Sequence, residues 1–560
     1  MIVLFFAAVI IAYWPVRHAG FIWDDDRYVT SNALLARPDG LMRIWFSQDA
    51  PSQYVPLVYT TLRLEYSVWG LHPAGYHLDN VLLHAINAIL LWRLLKRLKV
   101  PGDWLAAGLF ALHPVQVESV AWISERKNVL SLLFYLLAVR AWVKFVDGEE
   151  THPRRQYVLS LVFCALALFS KATACTLPAA LFLVLWLRRK PINLQRLVQL
   201  VPFAALGIGM GLLVMWWERH HQGTEGVTFS MSLPARLLIA SHAIWFYLGK
   251  LIWPANLTFI YPQWTINPAY ALAYGWLVAC VGFLGVAYFL RRYVGRSLAV
   301  AGIFYVAALA PLLGFIMLYT FRYTFVADHY QYIASVGPLT LLAAGMATAF
   351  DRLKPRMPFL QPAVCGALFL GLGTLTWHQA GIYRTPETLW QDTLRKNPAC
   401  WMAENNLGDV FVRQGHVDEG IAHYHKSLAI SPSPDAYYNL GVVLGRQGDL
   451  DGAISNLEEA VRLDPDSFKA QNNLGIALSG KGRVDEAISH FERALQTNPR
   501  FATTYFNLAV VLNKKGQIDA AIDCLNKALA LNPNDEAARR FLTTLLTNKE
   551  SAIKESTQSN

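Results

Sequence analysis

Long apolar runs separated by short polar turns fill the first two thirds of the chain and stop near Trp377. Crossing the hydrocarbon core takes roughly 20 apolar residues of helix, fewer where flanking side chains snorkel. The runs predict eleven membrane helices, at 1–15, 77–98, 103–120, 128–146, 156–171, 173–188, 197–217, 269–290, 298–318, 331–350 and 359–377. Clusters Arg93/Lys96/Arg97/Lys99, Arg154/Arg155, Arg188/Arg189/Lys190, Arg291/Arg292/Arg296 and Arg352/Lys354/Arg356 fall on alternate turns, which marks those turns as cytoplasmic. The segments 17–75, 114–127, 171–172, 218–268 and 319–330 then face the other side, together with everything after the last span. One apolar stretch, 234–261, begins and ends on that outer side and contains Arg236 and Lys250. It predicts an interfacial or re-entrant helix pair, although two extra spans fit it equally well.

From Gln379 onward the pattern changes period. Pro398, Pro432, Pro465, Pro499 and Pro533 recur at intervals of 34, 33, 34 and 34. Asn406-Leu407-Gly408, Asn439-Leu440-Gly441, Asn473-Leu474-Gly475 and Asn507-Leu508-Ala509 keep the same phase, as do Asp451-Gly452-Ala453, Asp485-Glu486-Ala487 and Asp519-Ala520-Ala521. Small residues at fixed positions of a 34-residue period are the mark of tetratricopeptide repeats (TPRs), in which two antiparallel helices approach closely. The chain therefore reads as all-α: a polytopic membrane domain at 1–378, a linker or helix at 379–397, a TPR solenoid at 398–546 and a disordered tail at 547–560. The asparagines Asn406, Asn439, Asn473 and Asn507 admit two readings, bonding to neighbouring groups or binding an extended peptide in the solenoid groove; for any one of them the first is favoured.

Composition agrees with a bilayer as main solvent: 54% of the 560 residues are hydrophobic and 16% charged, with a mean hydropathy of +0.30. The basic excess lies in the membrane part, where 30 Lys+Arg face 17 Asp+Glu up to His378, against 19 and 22 beyond it. No soluble basic patch remains to bind nucleic acid, which is excluded. The six cysteines have neither metal nor disulfide spacing. The N-terminal run lacks a basic flank and a cleavage site, so it reads as the first membrane helix and not as a signal peptide.

The candidate chemistry sits on the outer face. Asp24, Asp25 and Asp26 are three consecutive carboxylates just after the first span, a costly arrangement beside a low-dielectric phase unless it is used, as a general base or as metal ligands. A solvated helix cap is the plain reading for one aspartate, less so for three. Around the second outer turn, His113 and Glu118 end one span and Arg126 and Lys127 start the next. Lysines and arginines at span ends commonly snorkel, but these two run against the positive-inside bias. Lys171 is a lone cation between apolar runs, suited to a phosphate. Asp328 and His329 add an acid and an imidazole, while Tyr330 and Tyr332 fit an interfacial aromatic belt.

Trp23-Asp24-Asp25 with Asn32, the block Ala111-Leu112-His113-Pro114-Val115-Gln116-Val117-Glu118-Ser119-Val120-Ala121-Trp122 with Arg126-Lys127, Ser170-Lys171 and the terminal repeats together resemble the TMTC family of transmembrane, TPR-bearing O-mannosyltransferases and their bacterial relatives. The resemblance covers nearly the whole chain and is weakest between 191 and 319. It implies a GT-C glycosyltransferase that takes mannose or a similar hexose from a polyprenyl- or dolichyl-phosphate carrier and inverts it onto Ser/Thr hydroxyls of proteins gathered by the repeats. Under it Asp25, with Asp24 and Asp26 beside it, is the base. Arg126, Lys127, Lys171 and His329 hold the lipid phosphate, and His113 and Glu118 orient acceptor or metal. A divalent cation (Mn or Mg) would fall to Asp24, Asp25 and Glu118. The chain carries His329-Tyr330-Gln331-Tyr332 where the relatives often have Arg-Tyr-Leu-Tyr, a departure that touches the phosphate role of His329.

Two other functions compete. A lipid-linked-sugar transferase with a glycan acceptor, of O-antigen ligase or polymerase type, accounts for the charges but calls for a long late outer loop, and here the longest is the first. A non-enzymatic TPR scaffold leaves the aspartates and outer cations unexplained. A short N-terminus and the lack of a long tail favour a bacterial inner membrane with periplasmic repeats; in a eukaryote the corresponding place is the endoplasmic reticulum with lumenal repeats.

Overall fold

The computed structural model describes residues 2–49, 52–148, 152–221, 231–316 and 319–558, and all regular elements among them are helical. Two compact units form, Met1–Pro398 and Ala399–Asn560.

Among the described residues of the first unit six helices are long and apolar enough to cross a membrane: Pro73–Arg97, Ile123–Asp147, Leu194–His221, Leu233–Ile252, Ala271–Tyr293 and Leu360–Ile382. Shorter apolar helices occupy Ile2–Ala12, Asp103–Leu112, Ala172–Leu187 and Ser297–Leu312. The chain is an integral membrane protein. Two predicted elements come out differently. The run 103–120 is not one helix, because it stops at Leu112: Pro114 has no N–H to donate and disfavours a helical His113, whose ψ is 125°. A 3-10 turn, Pro114–Gln116, and a short helix, Val117–Ala121, follow. The stretch 234–261 forms a single helix, Leu233–Ile252, opened by the side chain of Ser232 and Pro234. By length this helix spans. Its contacts nevertheless tie both ends to segments of the same expected face, since Arg236 donates to the carbonyl of Phe315 (2.9 Å) and the carbonyl of Leu251 meets His113 Nε2 (3.0 Å).

Contacts join three of the five Lys/Arg clusters. Asp147 gathers Arg97, Arg188 and Lys190 at 3.6, 3.1 and 3.6 Å, and Arg296 donates to the carbonyl of Trp186 (2.9 Å). All five expected outer segments interlock at the other end. The segment 379–397 completes the helix Leu360–Ile382 and forms Pro386–Lys396, which begins on a capping box at Thr385. It belongs to the first unit, where Asn397 Nδ2 donates to the carbonyl of Ile260 (3.2 Å).

In the second unit eight helices, from Trp401–Arg413 to Ile518–Leu531, pair as four hairpins. A Cβ added at Gly408, Gly441 or Gly475 would stand 2.8, 2.7 or 2.8 Å from Tyr424, Leu457 or Phe491 of the paired helix, so glycine sets how closely the hairpins close. Lys481–Asp451 (2.7 Å), Lys515–Asp485 (2.6 Å) and Lys549–Asp519 repeat one exposed ion pair between successive repeats. The last helix runs Glu536–Gln558. The residues from 547, expected as a disordered tail, extend it as far as Gln558, in keeping with the helix-forming Lys, Glu and Ala they carry.

Candidate active site

After Ile2–Ala12 and the 3-10 turn Trp14–His18, the chain reaches Trp23, whose φ of +41° is a costly backbone for a large side chain. Its indole stacks on Trp122 (5.5 Å, 22°), which holds the strained turn in place. The three aspartates beyond it part ways. Asp25 is fully buried, with Oδ2 accepting from the N–H of Ile22 (3.0 Å) and Oδ1 from the N–H of Ser124 (2.8 Å). Burial pushes its pKa up to about 7 against the pull of those two donors. The first outer loop is thereby pinned to the second. Asp26 accepts from Thr30 Oγ1 (2.9 Å) inside its own helical turn. Asp24 is partly exposed, and its carboxylate has no hydrogen bond or ion pair among the described residues. Burial raises its pKa; Arg27 and Lys127 oppose the rise, and Glu125 and Asp26 add to it.

The second loop contains a residue that the sequence reading passed over. Glu125, buried at the start of the helix Arg126–Asp147, binds Lys127 Nζ through Oε1 (2.9 Å) and Lys171 Nζ through Oε2 (3.2 Å). Asn128 Nδ2 also donates to Glu125 Oε2 (2.7 Å), while its Oδ1 accepts from Lys171 (2.8 Å). His329 Nε2 stands 4.0 Å from Glu125 Oε1, and its Nδ1 and backbone N–H meet Glu118 at 3.0 and 2.9 Å. One carboxylate is therefore shared by two lysines, which leaves a net positive charge close to Asp24. The polar run Ser124-Glu125-Arg126-Lys127-Asn128 inside an apolar stretch was the available signal.

Several expected roles are not met by the geometry. Arg126, 1% exposed, is held inside the fold by Glu65, Asn80 and the carbonyl of Tyr76 (3.0 Å), so its guanidinium is engaged away from any phosphate. His113 accepts the N–H of Val115 at Nδ1 (3.3 Å), which leaves the proton on Nε2 to bond Leu251. Both of its nitrogens are occupied, and it caps a turn where acceptor or metal binding was expected. Asp24, Asp25 and Glu118 do not converge as a ligand set, and among the described residues no group of three or more His, Cys, Asp or Glu is placed to hold a metal. Asp328 is buried and accepts from Tyr261 Oη (3.0 Å); burial, with Glu118 nearby, pushes its pKa well up.

In the second unit the four asparagines bond within and between repeats. Asn406 Nδ2 donates to the carbonyl of Met402 (2.7 Å), Asn439 to Asn405 Oδ1 (3.1 Å), Asn473 to Tyr438 Oη (3.3 Å) and the carbonyl of Lys469 (2.9 Å), and Asn507 to Asn472 Oδ1 (3.0 Å).

Residues 50–217 match the family model of dolichyl-phosphate-mannose-protein mannosyltransferases, and three tetratricopeptide-repeat models match 400–466, 438–499 and 478–545. Protein O-mannosyl-transferase Tmtc1 of Drosophila melanogaster is 33% identical over 182 residues, 30% of this chain and 21% of the relative. Human protein O-mannosyl-transferase TMTC4 is 24% identical over 478 residues, 72% of this chain and 63% of the relative. The chain is similar to the TMTC protein O-mannosyltransferases. It spans about a fifth of the length of the first curated relatives it matches. The solved structure of YrrB, a TPR protein, is 23% identical with a TM-score of 0.26, covering 34% of this chain and 95% of that one. The mannosyltransferase match takes in Glu118, Glu125, Lys127 and Lys171, whereas Asp24–Asp26 and His329 lie outside it.

Proposed function

We propose that the first unit is a membrane mannosyltransferase moving mannose, or a similar hexose, from a polyprenyl- or dolichyl-phosphate carrier to Ser/Thr hydroxyls of polypeptides gathered by the repeats. The observation that carries this reading is an unengaged carboxylate, Asp24, beside Lys127, a buried lysine that shares its counter-ion Glu125 with the partly buried Lys171. Asp24 removes the proton of the acceptor hydroxyl as its oxygen bonds to the anomeric carbon. The bond from that carbon to the phosphate oxygen breaks, and the lipid phosphate leaves with the electron pair. Lys127 and Lys171 neutralise it, an electrostatic term of the kind that dominates such steps. Asp25 positions the loop, and His329, held by Glu118, lines the phosphate side. No step is assigned to a divalent ion, since among the described residues no group of three or more His, Cys, Asp or Glu is placed to hold one. On this reading, which the alternation of Lys/Arg clusters supports, the site and the repeats face the non-cytoplasmic side, periplasmic in a bacterial inner membrane and lumenal in the endoplasmic reticulum.

The test is transfer of radiolabelled mannose from polyprenyl-phosphate mannose in membranes holding the full chain, with protease digestion of the product. Protease-sensitive label that Asp24→Asn abolishes supports the reading. Protease-resistant label moves the acceptor to a glycan, and label undiminished by Asp24→Asn overturns the base.

A further inference from the structure

An apolar cavity of about 1370 Å³ lies between the helices Leu233–Ile252, Gly275–Val294, Ser297–Leu309 and Val336–Leu353. It exceeds the roughly 300–1,000 Å³ of small-molecule sites. Trp245, Cys280, Phe283 and Leu342 are among its walls, and its charged lining is Arg291, Arg292 and Arg296 at the basic end of the helices. Arg291 lies over the ring of Tyr288 (3.5 Å), and Arg296 donates to the carbonyl of Trp186 (2.9 Å). None of the three has a carboxylate within ion-pair distance among the described residues. Asp147, an acid of that face, is engaged by Arg97, Arg188 and Lys190.

A long apolar space that ends in three uncompensated guanidinium groups at a membrane surface matches a lipid with an anionic headgroup. Arginine binds phosphate oxygens in bidentate geometry, and the low dielectric alongside strengthens the attraction. The helix Ala271–Tyr293 has only 6% of its apolar window buried by protein, so an acyl chain in the cavity supplies packing that the bundle does not. Lys127, Lys171 and His329 do not line this space. A carrier lipid with its phosphate on those residues would thus leave the arginines unanswered.

We infer that this cavity is a binding site for an anionic phospholipid of the leaflet on the basic face, with the phosphate on Arg291, Arg292 and Arg296 and the acyl chains between the four helices. The site is independent of the proposed transfer reaction. Its test uses the full chain, delipidated in detergent and offered phosphatidylglycerol, phosphatidylcholine or polyprenyl phosphate, with retained lipid read by native mass spectrometry. Wild type is expected to retain phosphatidylglycerol at least tenfold over phosphatidylcholine, and Arg291→Gln/Arg292→Gln/Arg296→Gln is expected to bring that ratio near one. Gly345→Phe puts a ring into the cavity from a position where a Cβ meets nothing within 4 Å, and is expected to lower retention of phosphatidylglycerol with the thermal midpoint unchanged. An equal ratio in wild type and the triple variant, retention unaffected by Gly345→Phe, or displacement of phosphatidylglycerol by equimolar polyprenyl phosphate would each overturn the inference.

Discussion

Asp24 and Asp25 are chemically identical neighbours with opposite fates. Asp25 accepts two backbone N–H groups, one from Ser124, and replacing it by Asn swaps one acceptor oxygen for a donor facing a donor. Asp25→Asn is therefore expected to cost about 1–3 kcal/mol of stability, read as a lowered thermal midpoint. Asp24→Asn breaks no such bond. It is expected to leave the midpoint in place while reducing transfer by about 10²–10⁴-fold. The pH dependences differ as well. With Asp24 as the proposed base, transfer is expected to fall as pH drops through its pKa, and because burial raises that pKa the inflection is expected above that of an ordinary aspartate. Asp25 is raised to about 7 in the fold from 3.8, so the stability it contributes is present below about pH 4 and is lost as pH rises to about 7. The slope is about 1.4 kcal/mol per unit, and thermal midpoints of wild type and Asp25→Asn across that window measure it. Glu125→Ala strands Lys127 and Lys171 without their shared partner and is expected to destabilise the first unit by about 3–5 kcal/mol, checked by the same melts. The sequence exposes this neighbourhood but not the division of labour within it. Arg126 and Lys127 are adjacent on a helix whose successive side chains turn by about 100°, so one meets Glu65 and the other Glu125, and neither carboxylate is identifiable without the fold.

Helices built on long apolar runs, such as Leu194–His221 and Leu360–Ile382, are legible in the chain because the bilayer length selects them. Elements near the site are less so. Pro114 interrupts an apolar run and thereby creates the short helix that brings Glu118 to His329, a case in which one residue outweighs the hydropathy of the rest of the run. The helix Leu233–Ile252 has the length of a span, while its ends touch segments of one face, a placement that hydropathy alone cannot decide. In the repeats the 34-residue period makes the small-residue positions readable directly. Gly475→Val would drive a side chain against Phe491, already 2.8 Å from an added Cβ, and is expected to cost about 1–3 kcal/mol in the second unit. Hydrogen exchange localised to Phe468–Gly480 and Val484–Thr497 checks it, with exchange in the first unit unchanged.

For the molecule as a whole, two of the five Lys/Arg clusters meet at Asp147, while Lys127 and Lys171 of the expected outer turns meet at Glu125. A cysteine placed at Arg189 and one placed at Arg37, on a cysteine-free background, are expected to react with an impermeant thiol reagent from opposite sides of the membrane, Arg37 from the non-cytoplasmic side. Labelling of both from one side contradicts the topology. The most direct test of the account compares wild type, Asp24→Asn and Asp25→Asn for mannose transfer from polyprenyl-phosphate mannose to protein, with the thermal midpoint of each. The account predicts that Asp24→Asn melts like wild type and is inactive, whereas Asp25→Asn melts lower and keeps measurable transfer below its midpoint. An active Asp24→Asn, or a stable and inactive Asp25→Asn, would contradict it.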